Sequence, residues 1–196
     1  SKATINVTAV YVGGNVTRNA TVCSGINSAP LTLSGQTGTI VRWEFSINGG
    51  ASWTQIVNTT TTQNYTNLTQ TTLYRAVVSN GVCPSVNSAA ATITVNTLPT
   101  LTVTSASICN GAGPATLGVS GASTYTWTGG GITGSTSSAP SDNPASTTIY
   151  TVNGTNAQTC TATATGTINV ISTPTISVNS GSICAGQTTL TLTANS

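Results

Sequence analysis

The sequence predicts an all-β chain built of repeated β-sandwiches. Three observations carry this. Threonine supplies 43 of the 196 residues, and β-branched side chains suit the pleated, half-buried surface of a strand. Short alternating runs recur between clusters of Gly, Asn, Ser and Pro, as strands joined by turns do. One phrase also begins three times, at Cys23, Cys109 and Cys184. Each time a cysteine leads into a Gly-containing turn and then an alternating strand, so the chain reads as an array of modules.

The elements of the first repeat follow in order. Pro30-Leu31-Thr32-Leu33 is its early strand. "IVRWEFSI" at 40–47 is the best single strand. Period 2 places Val41, Trp43, Phe45 and Ile47 on an inner face, and Ile40, Arg42, Glu44 and Ser46 outside. Asn48-Gly49-Gly50 is a hairpin turn, followed by a strand carrying Trp53, Ile56 and Val57. In "TLYRAVVS" the inward set is Tyr74, Ala76 and Val78, with Arg75 outward. Arg75 and Glu44 are then expected to pair on the outer face, a solvated contact contributing at most about 1 kcal/mol. "AAATITV" closes the unit.

The second repeat retraces this path. Thr116-Leu117-Gly118-Val119 corresponds to the early strand, Trp127 to Trp43, "TTIYTVNGT" to the tyrosine strand, and "TATATGTINV" to the closing strand. Trp43, Tyr74, Trp127 and Tyr150 are the predicted core aromatics. Pro-bearing joints at Asn96–Pro99 and Ile171–Pro174 set the modules at 1–96, 97–171 and 172–196. The third holds only its first two strands, and two strands cannot bury a core alone. Either the sequence is a piece of a longer chain, the favoured expectation, or a neighbouring chain supplies the missing strands.

Five cysteines are an odd number. The spacing suggests Cys23 with Cys83 and Cys109 with Cys160, each within one module. Cys184 is left unpaired, since the second half of its module is missing. A disulfide framework implies an oxidising, extracytoplasmic setting. A zinc site asks for close Cys pairs or His, and a nucleophilic cysteine asks for a His base. The sequence has no histidine.

Composition narrows the function further. Only Glu44 and Asp142 are acidic, and they fall in different modules, which leaves no carboxylate pair for general acid–base work. Four scattered basic residues with a net charge of +2 are no nucleic-acid footprint. No run reaches the apolar length of a membrane span. Two acids cannot build a calcium cluster, and no metal or cofactor is expected. "TGGGITGS" at 128–135 lacks the lysine of a phosphate-binding loop and precedes no helix, so it reads as a flexible loop. Seven Asn-X-Ser/Thr sequons are about what chance gives in so Asn- and Thr-rich a chain. Trp53, after the hairpin turn, is the candidate for stacking on a sugar ring; partial burial without a ligand is the commoner fate of such a residue.

"SICNGAGPATLGVSGASTYTWTG", "TTIYTVNGTNAQTCTATATGTINV" and "VRWEFSINGGASWTQI" resemble the tandem immunoglobulin-like (Ig-like) modules of large surface and secreted proteins of Bacteroidota. The resemblance covers almost the whole chain. It implies sandwiches of about seven strands, an extracellular or cell-surface location, and export of the kind the type IX system performs. It transfers no binding residue, since those modules share no site. The function it points to is a non-catalytic repeat array in an adhesin stalk or surface filament. Two alternatives stand beside it: a strand-exchanged filament subunit, motivated by the incomplete third module and the long lead Ser1–Val22, and a carbohydrate-binding or spacer module of a secreted enzyme. The expected partners are other Ig-like modules of the same or neighbouring chains, with surface glycans as candidate ligands.

Overall fold

The structure, a computed structural model, describes residues 12–81, 83–178, 180–186, 189, 191 and 194–195. It resolves into two compact units, Ser1–Leu98 with Gln158–Cys160, and Pro99–Ala157 with Thr161–Ser196.

The first unit contains β1 (Asn15–Thr17), β2 (Ala20–Cys23), β3 (Ser28–Ser34), β4 (Thr39–Ser46), β5 (Thr54–Ile56), β6 (Thr62–Thr66), β7 (Thr72–Ser79), β8 (Val86–Asn87) and β9 (Ala91–Asn96). One sheet has the order β1-β3-β6 and the other β2-β9-β7-β4-β5, with β8 on β7. Pairing is antiparallel apart from β2 with β9. Val16, Leu31, Leu33 and Tyr65 from the first sheet share one core with Trp43, Tyr74, Ala76, Val78, Ala91 and Ile93 from the second. Two sheets joined by one core make a sandwich. The way the chain switches between them, with its early strand split into β1 on one sheet and β2 on the other, is Ig-like.

The second unit contains β10 (Thr102–Thr104), β11 (Ala106–Cys109), β12 (Ala115–Thr116), β13 (Gly118–Ser120), β14 (Thr124–Thr128), β15 (Ser141–Asp142), β16 (Thr148–Thr155) and β17 (Thr161–Ile171). β10 pairs with β13, β12 with β15, and β11-β17-β16-β14 form the larger sheet, again with its first strand parallel to its last. Leu117, Val119, Trp127, Tyr150, Val152 and Ile168 are buried between them. Trp43 and Trp127 do the same work: each is fully buried, and each donates its indole N–H to a carbonyl, Thr60 O at 2.9 Å and Ser137 O at 3.0 Å. Beyond Ile171, β18 (Ser177–Val178) pairs with β19 (Ala194–Asn195). Leu190 and Leu192 of the expected third-module strand, and residues 1–11 of the expected lead strand, lie outside the described residues.

The alternation predicted along β4 is broken at its start. Ile40 pairs with Val78 and Arg42 with Val77, so Val41 is the extra residue of a bulge. Ile40 is therefore buried and Val41 exposed, the reverse of the simple period; further along, Trp43 and Phe45 pack in the core as expected, while Glu44 and Ser46, expected outside, are buried as well. Ile47, also expected inside, lies past the strand end and is exposed.

The cysteine pairing differs from the expectation. Cys23 bonds to Cys160, with S–S 2.05 Å and Cα–Cα 5.6 Å, across 137 residues of sequence. Neither Cys23–Cys83 nor Cys109–Cys160 forms, because each of those pairs sits at opposite ends of its own sandwich. Cys109 lies beside Ile171, the last residue of β17, whereas Cys160 directly precedes Thr161, the first. Eleven strand residues at about 3.3 Å each separate them by roughly 35 Å, and disulfide Cα atoms must approach within about 7 Å. Likewise Cys23 stands beside Asn96 at the end of β9, while Cys83 lies in the connection between β7 and β8, past the end of β7 that lies toward the start of β9. Cys109 and Cys184 are exposed thiols, and Cys83 is half-buried.

Candidate functional site

Both acidic side chains are held by internal bonds. Glu44 is buried on the outer face of β4, at 4% exposure. Its Oε1 accepts from Arg42 and its Oε2 from Arg75, both at 2.8 Å. The expected Glu44–Arg75 pair is thus a three-membered cluster, and its carboxylate is not solvated. Burial alone would raise the Glu44 pKa; the hydrogen bonds from Arg75 and Arg42 outweigh it and hold the group below its ordinary range. Trp53 covers this cluster, with the Arg75 guanidinium 3.9 Å from its ring centroid, a cation–π contact. Its indole N–H donates to Gly50 O at 3.0 Å. One face and the polar edge of the candidate sugar-stacking residue are therefore occupied.

Asp142 is the centre of a second cluster. Its Oδ2 accepts from the Gly131 amide and from the Tyr150 hydroxyl, both at 2.8 Å. The glycine run read as a flexible loop is a fixed turn that brings this amide into place. Gly130 has φ +47°, and a Cβ there would meet Asp142 Oδ2 and the Tyr150 ring. The Gly131 amide, then the Tyr150 hydroxyl, hold the Asp142 pKa below its ordinary value of 3.8. Burial, then the neighbouring carboxylate, push Tyr150 up to about 12. A carboxylate whose pKa falls on folding adds stability that is complete above the unfolded value and is lost as the pH drops through the folded one. Asp142→Asn is accordingly expected to be about 1–2 kcal/mol less stable than the parent at pH 7, with the gap narrowing as the pH falls below the ordinary value of 3.8 toward about pH 2. Urea unfolding at the two pH values checks this; a gap that does not change with pH would place the loss elsewhere.

The first unit also carries a cleft of about 300 Å³ between β5 and β6. Phe45, Ile56, Tyr65 and Tyr74 line it, with Asn64, Asn67 and Gln70 among its polar residues. Tyr65 and Tyr74 are 3% and 6% exposed; the rings of Phe45 and Tyr74 lie 6.3 Å apart, tilted by 36°. Burial, then the neighbouring Tyr65, raise the Tyr74 pKa. Among the described residues, no charged side chain lines the cleft. Arg75 belongs to the other face of β7, where it meets Glu44 and Trp53. Among the described residues, no three His, Cys, Asp or Glu side chains gather as metal ligands.

A family model described as a domain of unknown function, DUF8696, matches residues 12–97, the first unit without its far loop. A search of curated proteins returns no match. Solved structures with similar chain traces include the fibronectin(III)-like modules of Clostridium thermocellum CbhA, at 12% identity, 82% of this chain, 91% of that one and a TM-score of 0.34. The insect immune protein hemolin is similar at 15% identity, 87% and 49% coverage and a TM-score of 0.43. A Ca2+-stabilized adhesin with which an Antarctic bacterium binds ice is similar at 18% identity, 87% and 52% coverage and a TM-score of 0.39. This chain spans about half the length of the last two.

The sequence-predicted residues thus fall into separate places. Trp43 and Tyr74 are in one core, Trp127 and Tyr150 in the other, and Trp53 is on an outer face. Tyr65 and Phe45 join Tyr74 at the cleft, which sequence reasoning missed. The available signal was "TQNYT" in β6, an alternating strand whose only large inward residue is Tyr65.

Proposed function

We propose that the chain is a non-catalytic structural stretch of an extracellular adhesin stalk or surface filament, with modules at 1–96 and 97–171 and a third opening at 172–196. One observation supports this above the others. The sequence contains two acids and no histidine, and both carboxylates are spent on internal clusters, Glu44 with two arginines and Asp142 with Gly131 and Tyr150. No free carboxylate or imidazole is left over among the described residues to move protons. The Cys23–Cys160 bond supports an oxidising compartment. Its partners are other modules of the same kind, and its export is of the type the Bacteroidota surface proteins use.

Antibody against residues 12–98 is the test. It should label intact source cells without permeabilisation, and it should detect, after reduction, a polypeptide much larger than 19.5 kDa. Labelling only after permeabilisation defeats the surface assignment. A reduced polypeptide near 19.5 kDa defeats the long stalk and turns the reading toward a subunit completed by strand exchange.

A further inference from the structure

The four described tyrosines divide into two pairs. Tyr150 donates its hydroxyl to Asp142. Tyr125 donates to Ala122 O at 3.0 Å and accepts from Ala122 N at 3.1 Å. Tyr65 and Tyr74 are both more than nine-tenths buried, yet neither hydroxyl has a hydrogen-bond partner among the described residues. Buried hydroxyls seldom go without one. Both of these tyrosines line the same cleft.

The repeat supplies its own control. Tyr74 in "TTLYRAVVS" and Tyr150 in "TTIYTVNGT" hold the same place in the same strand; each stands two residues before the partner of the core tryptophan, Trp43 with Ala76 and Trp127 with Val152. In the second unit that hydroxyl donates to Asp142, whose carboxylate the Gly131 amide also holds. In the first unit that place is open, and the cleft lies there instead.

The lining narrows the occupant. Phe45, Ile56 and the tyrosine rings offer apolar surface. The amides of Asn67 and Gln70 each offer both donors and an acceptor, and among the described residues no side-chain hydrogen bond engages them. The absence of charge from the lining disfavours an ion, which would be desolvated without a partner. The volume is at the small end of ligand sites. A rigid, neutral ring with hydroxyls on its edge and C–H groups on its face meets all these conditions.

We propose that this cleft binds a neutral pyranose sugar, whose hydroxyls bond Tyr65 and Tyr74 and the rim amides and whose C–H face packs on Phe45 and the tyrosine rings. The site is distinct from Trp53, which lies on the opposite face of the sheet. The assignment is independent of the structural role, since a stalk module can carry a glycan site or lack one.

The 196-residue chain, labelled with 15N, is titrated with glucose, galactose, mannose and N-acetylglucosamine in turn while amide shifts are recorded. At least one sugar should move the amides of Phe45, Tyr74 and the 63–70 segment in a saturable way. Tyr65→Phe and Tyr74→Phe keep the rings and remove only the hydroxyls, and each should weaken that binding about 10-fold. Trp53→Ala and Tyr125→Phe should leave it unchanged. Unaltered spectra of the Phe variants in the absence of sugar show that the fold is retained. If none of the four sugars moves these amides, the two hydroxyls bond water only and the assignment fails. It also fails if the Phe variants bind as tightly as the parent, or if Trp53→Ala abolishes binding.

Discussion

Replacing Trp127 with alanine is expected to cost about 4 kcal/mol of stability, most of what a unit of this size has. The indole is fully buried among Leu117, Tyr150, Val152 and Ile168. Deleting it removes a large apolar surface from the core and opens a hole that rigid strands on both sides cannot close. It also strands Ser137 O, which accepts the indole N–H at 3.0 Å, and an unmet carbonyl adds roughly 1 kcal/mol. Trp43→Ala should behave alike in the first unit, where Thr60 O plays the part of Ser137 O. Trp53→Ala should lose no more than about 1 kcal/mol, since it gives up an outer-face contact with Arg75. Urea unfolding of the three variants orders them. If Trp53→Ala is as damaging as Trp127→Ala, the outer cluster carries as much of the fold as the core does.

The sandwich was legible in the sequence because its cause is local. One buried face forces period 2, and Trp43, Tyr74, Ala76 and Val78 obeyed it. The failures are places where a non-local partner decides. Val41 is exposed because the opposing strand pairs Ile40 and Arg42 with adjacent residues, and a bulge is a property of two strands together. Glu44 is buried because two arginines and Trp53 close over it; composition showed the ions and not their enclosure. Asp142 looked like an isolated acid. Its role depends on the glycine turn at 129–131, where Gly131 presents an amide and Gly130 has room for no side chain. The cleft was invisible for the same reason. Tyr65 and Tyr74 both read as core residues, and they are buried; what sets them apart is a missing partner that Tyr150 has.

Breaking the Cys23–Cys160 bond is expected to have the largest effect of any single substitution outside the cores. On the chain-entropy model, a closed loop of 137 residues restricts the unfolded chain by about 5 kcal/mol, an upper bound that engineered cases often undershoot. Cys160→Ser should approach this figure, because Cys160 is fully buried and packs with the first unit. The same loss is expected for Cys23→Ser. The double variant should be no worse than either single one, since the second change removes a bond already gone. A non-reducing digest provides the connectivity directly: one peptide pair joining Cys23 to Cys160, separated by reductant. A Cys23–Cys83 pair in that digest would overturn the arrangement, and with it the register that places Cys23 beside the end of β9 and Cys83 in the connection between β7 and β8. In the familiar Ig pattern the bridge joins two strands across the core. Here Cys23 ends β2 and Cys160 directly precedes β17. The bond closes a loop of 137 residues, and a longer loop is the one that constrains the unfolded chain most.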